Sequence, residues 1–276
     1  LIPIELLPDP KMTQIAVTRK LGPEIARCEL THREREPIDF ELASSQHRLY
    51  EECLAGLGCD IHSLPYVPGL PDCVFVEDTA VVLEDIATVT RPGAASRREE
   101  ITAVASLLER HRRLAFIEEP GTLDGGDVLV TGMTIFAGMS TRTNKHGIDQ
   151  LSSISAPYGY NVIPVDIGGC LHLKSGVTQI GDGTFLINRR WIEAEVFSSF
   201  KLIDVDPSEP GAANALLVGN TVVYPLEFER TAELIAGAGI DIVTVDVSEL
   251  AKAEGGVTCC SIIFEGKRTP PSSPAD

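Results

Sequence analysis

Short apolar runs rich in valine and isoleucine recur along the chain, and many come in pairs: VFVEDTAVVLEDIATVT, DVLVTGMTIFAGM, SGVTQIGDGTFLIN and ALLVGNTVVYP. Paired runs of this kind, broken by tight GM, GDG and GN steps, predict β-hairpins. Between the pairs lie longer stretches with helical periodicity: FELASSQHRLYEECLAGLG, SRREEITAVASLLERH, TNKHGIDQLSSIS and ERTAELIAGAG, the last closing on the small residues and glycine that end helices. The pattern is that of an α/β protein. A fifth unit can be assembled from the last apolar run, VTCCSIIF, and the first, QIAVTR, if the two ends of the chain meet in space. The units then repeat roughly every 40 to 50 residues, a period that points to radial or stacked repetition. Closed about an axis, five such units would put strands inside and helices outside, with strand ends and loops lining one central cavity. Residues 12–264 would then form a single domain. An open doubly wound sheet is the alternative, but no GxGxxG or P-loop segment opens a helix, so its usual nucleotide role has no support.

Composition narrows the class of partner. The 276 residues are 43% hydrophobic, enough for one large core, and 40 acidic against 23 basic residues leave a net charge of -17. Such a surface repels nucleic acid and anionic lipid and suits small cationic ligands. No apolar run approaches the roughly 18 residues of a membrane span, and LIPIELLPDPKMTQIAVTRK lacks the basic region and apolar stretch of a secretion signal. The expectation is a cytoplasmic protein without membrane or nucleic-acid contact, a monomer or homodimer. Residues 1–11 read as an extension ahead of Met12, and residues 265–276, EGKRTPPSSPAD, as a flexible tail. Seven cysteines, with no CxxC pair and no regular spacing, argue against a disulfide framework and against a structural zinc site. The ordinary fate of any one of them is that of a small buried hydrophobe.

Several positions could nevertheless carry chemistry. In GGVTCCS, alternation along a strand would send Cys259 and Cys260 to opposite faces, so that one thiol reaches the cavity and the other the core. His172, flanked by leucines in LHLKSG, reads as the start of a strand and is compatible with a catalytic or a hydrogen-bonded core histidine. TLDGGDVLV sets Asp124 on a bent loop, with Asp127 a turn-forming aspartate. In LPDCVFVED, Asp72, Glu77 and Asp78 bracket an apolar run read as a strand, and Phe75 offers a flat wall beside the acids, a seat for a planar cation. Arg97 and Arg142 follow strands and small-residue loops, the placement of carboxylate clamps or of exposed helix-start charges.

Taken together, LPDCVFVED, TRPGAASRR, TLDGGDVL, STRTN, LHLKSG and GGVTCCS stand in the order and wording of the dimethylarginine dimethylaminohydrolase family, which this sequence resembles from about Ile15 to Phe264. The resemblance implies the five-bladed α/β propeller of the guanidino-modifying (pentein) enzymes, with pseudo-fivefold symmetry. It also implies a substrate, methylated arginine, converted to citrulline and dimethylamine or methylamine without metal or cofactor, in a setting of nitric oxide regulation. Cys259 matches the family's nucleophile, His172 its general acid and base, and Asp124 the acid that orients the histidine. Asp78 matches the guanidinium-binding carboxylate, with Glu77 beside it; Arg97 and Arg142 match the holders of the α-carboxylate. Asp72 matches the α-amino contact, helped by Leu30 on a lid loop and by a carbonyl near Ala253. Lys174 stands where the related arginine deiminases and amidinotransferases carry an aspartate for the second guanidinium edge. Because a dimethylated nitrogen has no N–H to donate, a lysine there favours the methylarginine hydrolase. Those sibling activities, and a non-catalytic propeller acting as a binding module, are the alternatives.

Overall fold

Every hairpin expected from the paired apolar runs forms, and each acquires a third strand. The computed structural model describes residues 12–267; the expected extension, residues 1–11, and residues 268–276 of the expected tail lie outside them. The described chain opens with β1 (Met12–Arg19), helix α1 (Phe40–Gly56) and β2 (Asp60–Leu64). The next unit is the hairpin β3 (Ala80–Val82) and β4 (Ile86–Val89), helix α2 (Ile101–Leu108) and β5 (Arg113–Phe116). It is followed by β6 (Val128–Thr131), β7 (Thr134–Met139), α3 (Lys145–Ser155) and β8 (Asn161–Asp166). A four-residue helix α4 (Leu173–Gly176) then leads into β9 (Val177–Gly181), β10 (Thr184–Ile187) and β11 (Lys201–Asp204). The last full repeat is β12 (Leu216–Val218), β13 (Thr221–Pro225), α5 (Glu229–Gly237) and β14 (Asp241–Val245). A short helix α6 (Ser248–Ala251) and β15 (Ile262–Lys267) end the described chain.

Five separate sheets of three strands result, ordered β3-β4-β5, β6-β7-β8, β9-β10-β11, β12-β13-β14 and β15-β1-β2. Each joins an antiparallel pair to a parallel third strand, as in β4 with β5, which demands a crossover and receives a helix or a 3-10 turn. The two ends of the chain do meet: β1 and β15 pair antiparallel from Met12↔Lys267 to Val17↔Ile262. Glu265–Lys267, expected in the tail, therefore belong to a sheet, because their ladder partners come from the other end of the chain and are invisible locally. The arrangement is a pseudo-fivefold α/β propeller.

Middle strands are buried on both faces, as β4 and β10 are throughout, while the outer strands β5 and β11 expose their end residues. Hydrophobic clusters fill the seams between blades. Phe136 of β7 packs against Phe197 with the rings inclined at 39° and 4.5 Å between centroids, joining two blades. Helix α1 buries Ala43, Gln46, His47, Tyr50 and Leu54, a stripe at helical spacing, and its N-cap Asp39 accepts from Leu42 N–H. Tyr50 reaches furthest toward the chemistry: its hydroxyl contacts Val257 O at 2.8 Å and Ser261 Oγ at 2.7 Å, holding both ends of the segment that carries Cys259.

Candidate active site

Val257–Cys260 form a turn, not the strand expected from alternation; β15 begins only at Ile262. Cys259 N–H donates to Gly256 O, Gly256 N–H points back at Cys259 Sγ at 3.3 Å, and Ser261 N–H donates to Thr258 O. These local bonds replace a ladder. The turn still separates the thiols: Cys259 is half-buried and lines a cavity, while Cys260 is buried with its Sγ toward Gly256 O. Beneath the turn, Thr258 and Asn214 exchange two hydrogen bonds, and Thr258 Oγ1 donates to Glu77 Oε2 at 2.8 Å. Burial, reinforced by the negative charges of Glu77 and Asp78, pushes the Cys259 thiol up to about 12.

His172 caps the N-terminus of α4 and does not start a strand. Asp127 fixes that geometry. Fully buried, it accepts from Leu173 N–H at 2.9 Å and from Ser140 Oγ at 2.6 Å, so it is a clamp on the histidine's backbone and more than a turn-former. His172 Nε2 meets Asp124 Oδ2 at 3.0 Å and stands 3.9 Å from Asp78 Oδ1. Asp124 also accepts from Gly93 N–H. Nδ1 of the imidazole has no hydrogen-bond partner among the described residues. A Cβ at Gly126 would sit 2.7 Å from that Nδ1 and 2.9 Å from Asp78 Oδ1, so the second glycine of TLDGGD leaves the space the ring occupies. Burial would depress His172, but Asp78, Asp127 and Asp124 outweigh it and raise it to about 9. Asp78 moves the other way: burial notwithstanding, His172, Arg97 and the Gly126 N–H hold it at about 2.

The cavity gathers Asp78, His172 and Cys259 with Asp72, Arg142 and Glu29, and Phe75 and Ala253 wall it. Its open volume is only about 20 Å³. Residues 29–33 close over it. Glu29 N–H reaches both Asp72 oxygens at 3.2 and 3.1 Å. The N–H groups of Thr31, His32 and Arg33 converge on the Glu254 carboxylate at 2.9, 2.5 and 2.6 Å. Arg142 is buried, and its guanidinium donates only to Thr31 Oγ1 among the described residues. A desolvated cation without a counter-ion is a site for an anion. Asp78, Asp124 and His172 also bring one ligand atom each within 4.8 Å, the spacing of a metal site. Those atoms are already engaged with each other, with Arg97 and with Gly126.

Three of the expected ligand residues are engaged within the protein, although Arg97 still lines the cavity. Arg97 donates Nη1 to Asp78 at 2.5 Å, Nε and Nη2 to Glu100, and Nη2 again to Phe75 O at 3.0 Å, which leaves one Nη1 hydrogen for a ligand carboxylate. Glu77 has both oxygens occupied, by Lys174 Nζ at 2.7 Å and by Thr258, and does not line the cavity. Lys174 thus points inward, onto Glu77 and Gly125 O. The Leu30 side chain packs against the core, and its neighbour Glu29 borders the cavity instead. The apolar run of VFVED is likewise a 3-10 turn, Val76–Thr79, with strand only from Ala80; the turn lets Glu77 and Asp78 diverge to different neighbours. Sequence reading missed Glu100, Thr258, Asn214 and Glu254. Only the left-handed backbone of Glu254, φ 59, sets one of them apart locally, and that signal exists only in coordinates.

Comparison with known proteins bears on the family and the fold. A family model described as arginine deiminase matches residues 31–212. The N(G),N(G)-dimethylarginine dimethylaminohydrolase of Streptomyces coelicolor is 40% identical over 248 residues, covering 90% of this chain and 95% of that one. The protein of the same name from Pseudomonas aeruginosa is 35% identical over 228 residues, 82% of this chain and 90% of that one. A solved structure of the Pseudomonas aeruginosa enzyme, a cysteine-to-serine mutant complexed with citrulline, superposes with a TM-score of 0.88 at 32% identity, covering 92% of this chain and all of that one. The chain belongs to the dimethylarginine dimethylaminohydrolase family of guanidino-modifying α/β propellers.

Proposed function

We propose that the five blades form one catalytic unit that hydrolyses Nω,Nω-dimethylarginine and Nω-methylarginine to citrulline, releasing dimethylamine or methylamine through a covalent intermediate on Cys259. The observation that carries this reading is one closed cavity holding an unpaired arginine and a carboxylate, Arg142 and Asp72, together with a thiol, a histidine and a second carboxylate, Cys259, His172 and Asp78. The first pair matches the carboxylate and ammonium of an amino acid, and the second set matches a guanidinium. In the resting site both receiving carboxylates are satisfied by the protein, Asp72 by Glu29 N–H and Asp78 by Arg97. Substrate binding exchanges these partners.

With its thiol at about 12 and His172 at about 9, the resting pair near neutrality is a thiol and an imidazolium. The bound guanidinium, held by Asp78, supplies the positive charge that favours the thiolate, and the thiol proton passes to solvent as the substrate binds. Cys259 Sγ then adds to the guanidinium carbon, and His172 gives its Nδ1 proton to the departing nitrogen. The C–N bond breaks with its electron pair on the amine, leaving an S-linked thiouronium. His172, now neutral and kept in orientation by Asp124, takes a proton from water; hydroxide adds, the S–C bond breaks, and citrulline leaves. Charge pairing also supports methylated arginine over arginine. Lys174 neutralises Glu77 behind the site, so the guanidinium meets one carboxylate, Asp78, and the methylated edge faces no acceptor left unpaired.

The setting proposed is a reducing cytoplasm, in keeping with seven free cysteines, where the activity would remove methylarginine and so bear on nitric oxide regulation. No helix among the described residues is long and apolar enough to cross a membrane. The test is citrulline and amine release from asymmetric dimethylarginine, monomethylarginine, symmetric dimethylarginine and arginine, with Cys259→Ser as the blank. Citrulline from the first two alone, absent in the blank, is the expected result. Citrulline and ammonia from arginine itself would make this a deiminase.

A further inference from the structure

A second cavity, of about 340 Å³, reaches Cys259 from beside the first. Leu171, Glu254, Gly255 and Cys259 border both cavities, but Asp72 and Arg142 line only the first. We propose that it is the port through which the departing amine leaves and water enters, and that it holds a small alkylammonium ion. The inference rests on the hydrolase reading above.

Order of events makes such a port necessary. Once Sγ has bonded to the guanidinium carbon and the C–N bond has broken, the amino-acid part stays tethered in a cavity closed by residues 29–33. The amine cannot leave, nor water arrive, through the end it fills. An aliphatic amine released near neutrality takes up a proton, so the port must suit a cation carrying methyl groups.

Its walls have that chemistry. Trp191 and Phe228 present aromatic surface and Glu227 a carboxylate; Glu254 also borders the port, with its carboxylate accepting from the N–H groups of residues 31–33. Aromatic faces with nearby anions are the recognition chemistry of alkylated ammonium. Trp191 lies against Gly169, where a Cβ would come within 2.7 Å of the indole, and the Phe228 ring is 3.2 Å from a Cβ built at Gly211. Small residues in both loops therefore leave the rings room. Arg33 also borders the port; its Nη1 donates to Ala251 O at 2.7 Å, and its charge acts on Glu227, so a bound cation shares that carboxylate with it.

Trp191 is the only tryptophan in the chain, so its fluorescence reports on this cavity directly. Titration with dimethylammonium chloride is expected to give a saturable change, half-complete at a concentration at least tenfold below that for ammonium chloride at matched ionic strength. Glu227→Gln should raise the half-point at least threefold and leave citrulline binding unchanged. In turnover, dimethylammonium should inhibit noncompetitively against dimethylarginine, while citrulline inhibits competitively. A flat titration, or purely competitive inhibition by dimethylammonium, overturns the proposal and leaves the hydrolase reading standing. Saturable fluorescence in a chain that makes no citrulline would support the cation site and overturn its role as an exit.

Discussion

Asp124→Asn isolates the electrostatic work done on His172. The substitution keeps the shape and lets a side-chain oxygen go on accepting from Gly93 N–H. It replaces the oxygen that meets His172 Nε2 at 3.0 Å with an amide donor or a neutral acceptor. A charge-assisted hydrogen bond between buried groups contributes roughly 1.5 to 3 kcal/mol, equivalent to about one to two pKa units. His172, raised to about 9 in the intact site, should then titrate roughly one to two units lower, with Asp78 and Asp127 still opposing its loss of charge. Two effects should separate in kcat. A fall of roughly 10²-fold or more, independent of pH, reports lost orientation of the acid. A shift of the basic limb toward neutrality reports lost charge stabilisation. The limb can be followed by initial rates from pH 6 to 10 and checked against the His172 ring resonances in labelled protein. A basic limb that moves by less than about half a unit would mean that Asp78 and Asp127 alone hold the proton, and that Asp124 does not set the charge of His172.

Lys174→Met should destabilise the fold by about 3 to 5 kcal/mol in urea unfolding, because it strands Glu77 without its buried partner. Adding Glu77→Gln should recover most of that loss, and a double variant no more stable than the single would refute the pairing. Arg142→Ala should raise KM by a factor corresponding to roughly 1.5 to 3 kcal/mol with little change in kcat; an unchanged KM removes Arg142 from the substrate. Gly126→Ala, by moving the imidazole that a Cβ would meet at 2.7 Å, should lower kcat roughly 10²-fold while circular dichroism stays native. The raised pKa of His172 has a stability consequence of definite sign: its contribution is fully present below 6.5 and is lost as pH rises through about 9. Unfolding free energies of the parent and of His172→Gln, from urea titrations, should therefore converge across that window, by on the order of 3 kcal/mol.

Blade count and residue identity were legible in the chain because they rest on local periodicity. Hairpins announce themselves through turn glycines and alternating apolar residues, and the five-unit repeat even anticipated that β15 and β1 would join. The residues that meet in the cavity, Asp78, His172, Arg142 and Cys259, and Asp124 behind the histidine were also nameable, since they sit in motifs whose order along the chain carries the resemblance. Local reading failed where partners lie far away in sequence. TCCS looks like a strand, yet Asn214, 44 residues upstream of Thr258, helps hold it as a turn. Arg97 looks like a free clamp until Glu100 and Asp78 close on it, and Glu77 looks like a ligand until Lys174, 97 residues on, takes its charge. Which acid faces the substrate, which is neutralised behind it, and how far each pKa moves depend on burial and on neighbours brought together by blade packing. Charge energies in a desolvated interior are set by distances of a few ångströms, and those distances exist only after the propeller has closed.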